Sequence, residues 1–130
     1  WVAQKLNLPM IYIRDKAKGH GKENQIEGIL RPGQRVVVIE DLISTGGSSL
    51  KAAEAVRAAG GCVLSVQAIF TYEFDQASRA FAEKAIPLRT LSGYSSLIEV
   101  AVQTGYVQKE QLQLLRSWRE NPETFGRAAE

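Results

Sequence analysis

Four consecutive β-branched residues, Val36-Val37-Val38-Ile39, constrain the fold of this chain more than any other stretch. Such side chains are stiff at χ1 and suit a pleated strand better than a helix. A strand with one wet face alternates apolar and polar residues. This run does not alternate, so it is expected to be buried on both faces, as in a parallel sheet. Arg31-Pro32-Gly33-Gln34 reads as the turn that delivers it. Parallel strands need crossovers, and the sequence offers them. A helix is expected over 48–59, with Leu50, Ala53 and Val56 on one stripe and Lys51, Glu54 and Ala58 facing away. Gly60-Gly61 stops it. A strand over 63–70 follows, extended through Tyr72, then a helix over 76–84 and a short edge strand over 86–91 that starts beside Pro87. Two helices, over 95–104 and 109–120, close the chain; the second carries Leu112, Leu115 and Trp118 on one face. Strand and helix alternate, which predicts an α/β fold with a parallel sheet flanked by helices.

Upstream of the apolar run, residues 1–6 read as the closing turns of a helix, ended by Pro9, and 10–13 as a short strand. The first residue is Trp1, so the expectation is one domain over 1–130 whose parent chain continues upstream. Residues 15–28 lack periodicity, carry Gly19, Gly21 and Gly28, and read as a loop. With 130 residues there is enough chain for a single core. No apolar run approaches bilayer length and no secretory pattern is visible, so a cytoplasmic setting is expected. The single cysteine excludes an intramolecular disulfide, and Cys62, followed by Val63-Leu64, is expected to sit inert beside a buried strand. A net charge of +2 is too small to favour nucleic acid or a membrane as a partner.

The chemistry concentrates where that run ends. Glu40-Asp41-Leu42-Ile43 lead into Ser44-Thr45-Gly46-Gly47-Ser48 at the expected start of a helix. Ligands of open α/β sheets bind beyond the carboxyl ends of the strands. A helix start offers unpaired N–H groups and a positive dipole end, both suited to phosphate. Gly46 and Gly47 let the backbone approach an anion, while Ser44, Thr45 and Ser48 add hydroxyls, one of which is expected to cap the helix. Two carboxylates beside a phosphate site repel the phosphate, so they must face neutral donors such as ribose hydroxyls. A sugar phosphate satisfies both halves. The glycine-lysine string of a Walker A loop is missing, and neither Gly46-Gly47 nor Gly19-His20-Gly21 completes a dinucleotide fingerprint. A second concentration lies upstream, where Arg14, Lys16, Lys18 and Lys22 surround His20. Basic groups there are suited to a pyrophosphate leaving group, and His20 can donate a proton or a hydrogen bond near neutral pH.

Residues 36–48 resemble the signature of type I phosphoribosyltransferases that binds 5-phosphoribosyl 1-pyrophosphate (PRPP): an apolar strand, two acids, two apolar residues, then Ser-Thr-Gly-Gly-Ser. The resemblance implies that fold, with Glu40 and Asp41 on the ribose hydroxyls and Ser44 to Ser48 on the 5-phosphate, the intervening Leu42 and Ile43 belonging to the same binding string. Tyr12-Ile13-Arg14, Lys18-Gly19-His20-Gly21 and Gln25-Ile26-Glu27-Gly28 are similar to the catalytic loop of the orotate branch. That similarity implies PRPP or pyrophosphate contacts from Arg14, Lys18 and His20, with Lys18 and His20 as catalytic residues and Ser44 touching orotate. It also implies a homodimer with shared active sites and a Mg²⁺ ion carried mainly by PRPP. The chain departs from the pattern of some orotate enzymes in having Asp15 where they carry a second Lys. Its Phe70-Thr71-Tyr72-Glu73 also lacks the Arg that pairs with the orotate carboxylate. The PRPP string by itself also admits a purine or uracil phosphoribosyltransferase, or a regulator that binds PRPP without turnover.

Overall fold

The computed structural model describes residues 1–14, 25–123 and 125. Its centre is built from β3 (Arg35–Ile43), α2 (Gly47–Ala58), β4 (Cys62–Thr71), α3 (Asp75–Glu83) and β5 (Leu88–Gly93). The three strands form a parallel sheet in the order β3-β4-β5, so each helix is a crossover between neighbours. A two-stranded antiparallel pair, β1 (Tyr12–Ile13) with β2 (Ile26–Glu27), lies upstream after α1 (Val2–Leu6). Downstream come α4 (Tyr94–Gln103), a 3₁₀ turn at Lys109–Gln111 and α5 (Leu112–Glu120). The expected α/β architecture is therefore present.

Crossovers that step in one direction along a sheet place their helices on the same face, because each is right-handed. The core records this: Val38, Ile43, Val66 and Ala68 from the strands meet Leu50 and Ala53 of α2 and Ala77 and Phe81 of α3 in one cluster. The stripe read from α2 is buried as expected, and Leu112, Leu115 and Trp118 of α5 are each partly buried. The expectation that the β-branched run is buried on both faces is not met among the described residues. Val38 is buried, but Val37 is 41% and Ile39 52% exposed, because the crossover helices cover only one face.

Other boundaries moved for local reasons. Asn7 takes a left-handed conformation (φ 52°) and closes α1 before Pro9 is reached. The expected loop over 15–28 ends in a strand, since Ile26 pairs with Ile13 and Glu27 with Tyr12. The expected helix over 109–120 opens with the 3₁₀ turn, in which Gln108 and Gln111 exchange side-chain and backbone hydrogen bonds. Cys62 is exposed at the start of β4 rather than sheltered by it.

The turn between β3 and α2 is seated on the core through Gly46. Its φ of 81° is a conformation that L side chains rarely adopt, and a Cβ there would lie 2.6 Å from the Phe81 ring. Phe81 is itself only 3% exposed, so the ring cannot simply swing away. Gly46→Ala is therefore expected to lower stability by about 3 kcal/mol, combining backbone strain with overpacking. Urea unfolding of the variant beside the wild type measures it.

Candidate functional site

Pairing between β3 and β4 continues through Leu42↔Phe70 and Ile43↔Thr71. The two acids expected just after the strand thus lie within it. Asp41 is exposed and Glu40 partly buried there. Leu42 is exposed, whereas Ile43 is almost fully buried and anchors the end of the strand. Ser44 and Thr45 are exposed, Gly46 is buried, and Gly47 and Ser48 open to solvent again as α2 begins.

The helix start differs from expectation in one respect that matters for binding. Its N-cap is Gly46, and no side chain caps it, so none of Ser44, Thr45 and Ser48 takes that role. Ser49 instead turns inward and its hydroxyl donates to the Gly46 carbonyl at 3.1 Å. The leading N–H groups of α2 have no acceptor within the helix and remain directed at whatever lies beyond it. No acidic residue stands in the first turn to oppose an anion. A Cβ on Gly47 would meet only Thr45 Oγ1, at 3.8 Å, so the approach to the backbone is open. An uncapped helix start, three exposed hydroxyls and an exposed carboxylate at the adjoining strand end together suit a phosphate with a hydroxylated carbon skeleton.

Residues 1–109 match the phosphoribosyl transferase domain family. This chain belongs to that family. It is 58% identical over 126 residues to an orotate phosphoribosyltransferase of Bacillus caldolyticus, covering 97% of this chain but 61% of that protein. Among solved structures it resembles Leishmania donovani UMP synthase, with a TM-score of 0.72 and 28% identity over 91% of this chain and 25% of that one. It also resembles an orotate phosphoribosyltransferase of Mycobacterium tuberculosis solved in complex with PRPP. That likeness has a TM-score of 0.50 and 36% identity, over 55% of this chain and 44% of the other. The fold is that of a type I phosphoribosyltransferase.

Within this phosphoribosyl transferase domain the expected site residues divide into two groups. Glu40 to Ser48 form one continuous strand-turn-helix unit. Arg14 stands apart from it in the chain, directly after β1, where its N–H donates to the Gln25 carbonyl at 2.9 Å and its guanidinium pairs with Glu27 of β2. Lys18 and His20 lie outside the described residues. No group of three or more His, Cys, Asp or Glu side chains comes together as a metal site among the described residues.

One cluster was not anticipated, and it draws on α5 as well as on the strands of the sheet. Directly after β4, the Tyr72 N–H donates to the Ile43 carbonyl at 3.0 Å, which joins that segment to the turn of the site. Glu73 follows with a left-handed φ of 59°. Its Oε2 accepts from the Ser95 N–H at 3.0 Å, the Ser95 hydroxyl at 2.5 Å and Arg119 Nη1 at 3.3 Å. Arg119 also donates to Ser95 Oγ at 2.9 Å, closing a triangle. Gly93 leaves the space this needs, since a Cβ there would collide with the Glu73 carboxylate. Around it, Tyr72 stacks on Phe74 at 5.4 Å between ring centroids, and Trp118 meets Tyr72, Phe74 and Tyr94.

Two opposed influences act on the Glu73 carboxyl. Desolvation, the larger single one, raises its pKa; the hydrogen bonds from Ser95 and Arg119, with the charge of Arg119, outweigh it and hold the group below the usual glutamate range. A carboxyl whose folded pKa is depressed contributes stability above its unfolded pKa of about 4.3, and the contribution vanishes as pH falls through the folded value. Urea unfolding of wild type and Glu73→Gln should therefore differ most at neutral pH. The gap is expected to narrow as the pH drops below about 4. A gap that stays constant across that range would contradict the ionised triangle.

Proposed function

We propose that the β3–α2 turn binds PRPP and that this domain serves an orotate phosphoribosyltransferase. The reaction joins orotate to PRPP, giving orotidine 5′-monophosphate and pyrophosphate in pyrimidine nucleotide synthesis. The observation that carries the reading is the uncapped start of α2, free of acidic residues and adjoining Asp41 at the end of β3. The 58% identity to an orotate phosphoribosyltransferase supports the choice of base.

In this reading the N–H groups at the start of α2, with the hydroxyls of Thr45 and Ser48, hold the 5-phosphate. Asp41 and Glu40 hold the ribose hydroxyls, and Ser44 lies toward the base. The bond from the anomeric carbon to pyrophosphate breaks with its electron pair leaving on the phosphate oxygen. Nitrogen N1 of orotate, without its proton, bonds to that carbon from the opposite side, with inversion. Positive charge gathers on the ribose as the bond lengthens, and carboxylates at the sugar favour it. The leaving pyrophosphate needs cations. Arg14, Lys18 and His20 supply them, and the pairing of Arg14 with Glu27 must then yield to the pyrophosphate.

Magnesium suits this site in donor chemistry, since carboxylates, hydroxyls and phosphates are the hard oxygen ligands it prefers. Bound mainly through PRPP, it would neutralise charge on the pyrophosphate; Asp41 and Glu40 are the protein oxygens of the right kind. A homodimer, in which the segment after Arg14 serves a neighbouring active site, and a cytoplasmic setting complete the reading. No helix among the described residues is long and apolar enough to cross a membrane.

Incubating the full-length protein with PRPP, magnesium and orotate, uracil, adenine or hypoxanthine in turn tests the assignment. Pyrophosphate release with orotate alone is expected; release with a purine would reassign the base. Asp41→Asn should raise KM for PRPP roughly tenfold or more, as expected when a charge-assisted hydrogen bond to substrate is weakened. Unchanged kinetics would remove Asp41 from the sugar site.

A further inference from the structure

The match to the phosphoribosyl transferase domain ends at residue 109, so α5 lies outside it. Yet α5 reaches back to the turn that carries the candidate site. Arg119 holds Glu73 and Ser95 together, and Trp118 packs against Tyr72 and Phe74. The Tyr94 hydroxyl donates to the Leu115 carbonyl at 3.2 Å, which ties the same helix to the start of α4. From this clamp a backbone hydrogen bond leads to the site: the Tyr72 N–H donates to the carbonyl of Ile43, the residue before Ser44.

The left-handed backbone at Glu73 shows that the segment is held rather than merely resting. For a glutamate such a φ is strained and has to be offset by its surroundings. Here the three donors to one carboxylate oxygen, and the open space over Gly93, supply that offset. Ion pairs of this exposure contribute little to stability by themselves. Their geometric effect on a neighbouring binding turn can nonetheless be large, because small misplacements at a reacting centre are costly.

Resting on the PRPP reading above, we infer that Arg119 and Glu73 are positioning residues of the PRPP turn. Through Tyr72 and Ile43 they fix where Ser44 and the following helix start stand, and α5 is thereby part of the functional unit. Neither residue touches substrate. Their loss displaces the turn and acts on PRPP binding more than on the chemistry that follows.

The test compares full-length wild type with Glu73→Gln, Arg119→Met, Arg119→Lys and the Glu73→Gln, Arg119→Met double variant. It reads KM for PRPP, kcat and melting temperature for each. Arg119→Met is expected to raise KM for PRPP about tenfold with kcat changed less than about twofold. Arg119→Lys should recover part of the loss by retaining a donor to Glu73. The double variant should be no worse than the more damaging single one, since both changes break one network. Arg116→Gln removes a neighbouring cation on the same helix that takes no part in the triangle, and should behave as wild type. If Arg119→Met fails to fold, the isosteric Glu73→Gln decides between the outcomes. Lower melting temperatures with KM for PRPP unchanged within about twofold would overturn the inference and leave α5 a structural support only. Wild type that binds no PRPP would instead overturn the functional reading itself, and that outcome is visible before any variant is made.

Discussion

The parallel ladder between β3 and β4 governs the arrangement of everything near the candidate site. It keeps one register from Val37↔Ser65 to Ile43↔Thr71, and Ile43 is buried where it ends. Because the ladder continues that far, Asp41 is held in extended backbone while Ser44 to Gly46 must reverse direction within three residues. Gly46 permits the reversal through its left-handed φ and allows Phe81 to pack beneath it. The helix that follows then begins at Gly47 with no side-chain cap. Strand end, turn and helix start are therefore one mechanical unit, fixed from below by the core and from the side by Tyr72.

Charge is distributed to suit a ligand that is anionic at both ends and neutral in the middle. The start of α2 attracts an anion with backbone dipoles alone, which neither titrate nor need a buried cation. Asp41 stands on the strand side, where a phosphate would be repelled and a hydroxyl welcomed. Arg14 belongs to the separate β1–β2 pair and is paired with Glu27. A cation held by a half-exposed carboxylate remains available for exchange, since such pairs are weak in water.

Much of this was legible in the sequence because its causes are local. The β-branched run, the glycine pair and the stripe of Leu50, Ala53 and Val56 each reflect constraints acting over a few residues, and the strand, turn and helix stand where those constraints put them. The hydroxyl-rich turn was recognisable as the entry to a helix. Its cap was not, because Ser44, Thr45 and Ser48 all suit the role by type, whereas the N-cap is Gly46 and no side chain caps it. β2 has two residues, too few to show a period. The Glu73 clamp was beyond reach for another reason: Ser95 lies 22 residues and Arg119 46 residues from Glu73 in sequence, and nothing in the intervening stretch marks them as neighbours. One-sided burial of the β-branched run likewise depends on the shared direction of two crossovers, a property of topology rather than of any single segment.

Backbone amides report most directly on the central claim, since the start of α2 is held to bind phosphate through its N–H groups. Nitrogen-15 NMR during titration of the full-length protein with ribose 5-phosphate, and separately with PRPP and magnesium, reads those groups individually. Saturable shifts largest at Gly47, Ser48 and Ser49, with ribose 5-phosphate competing against PRPP, are the expected result. Amides there that stay still while others move would place the phosphorylated sugar elsewhere and contradict the account.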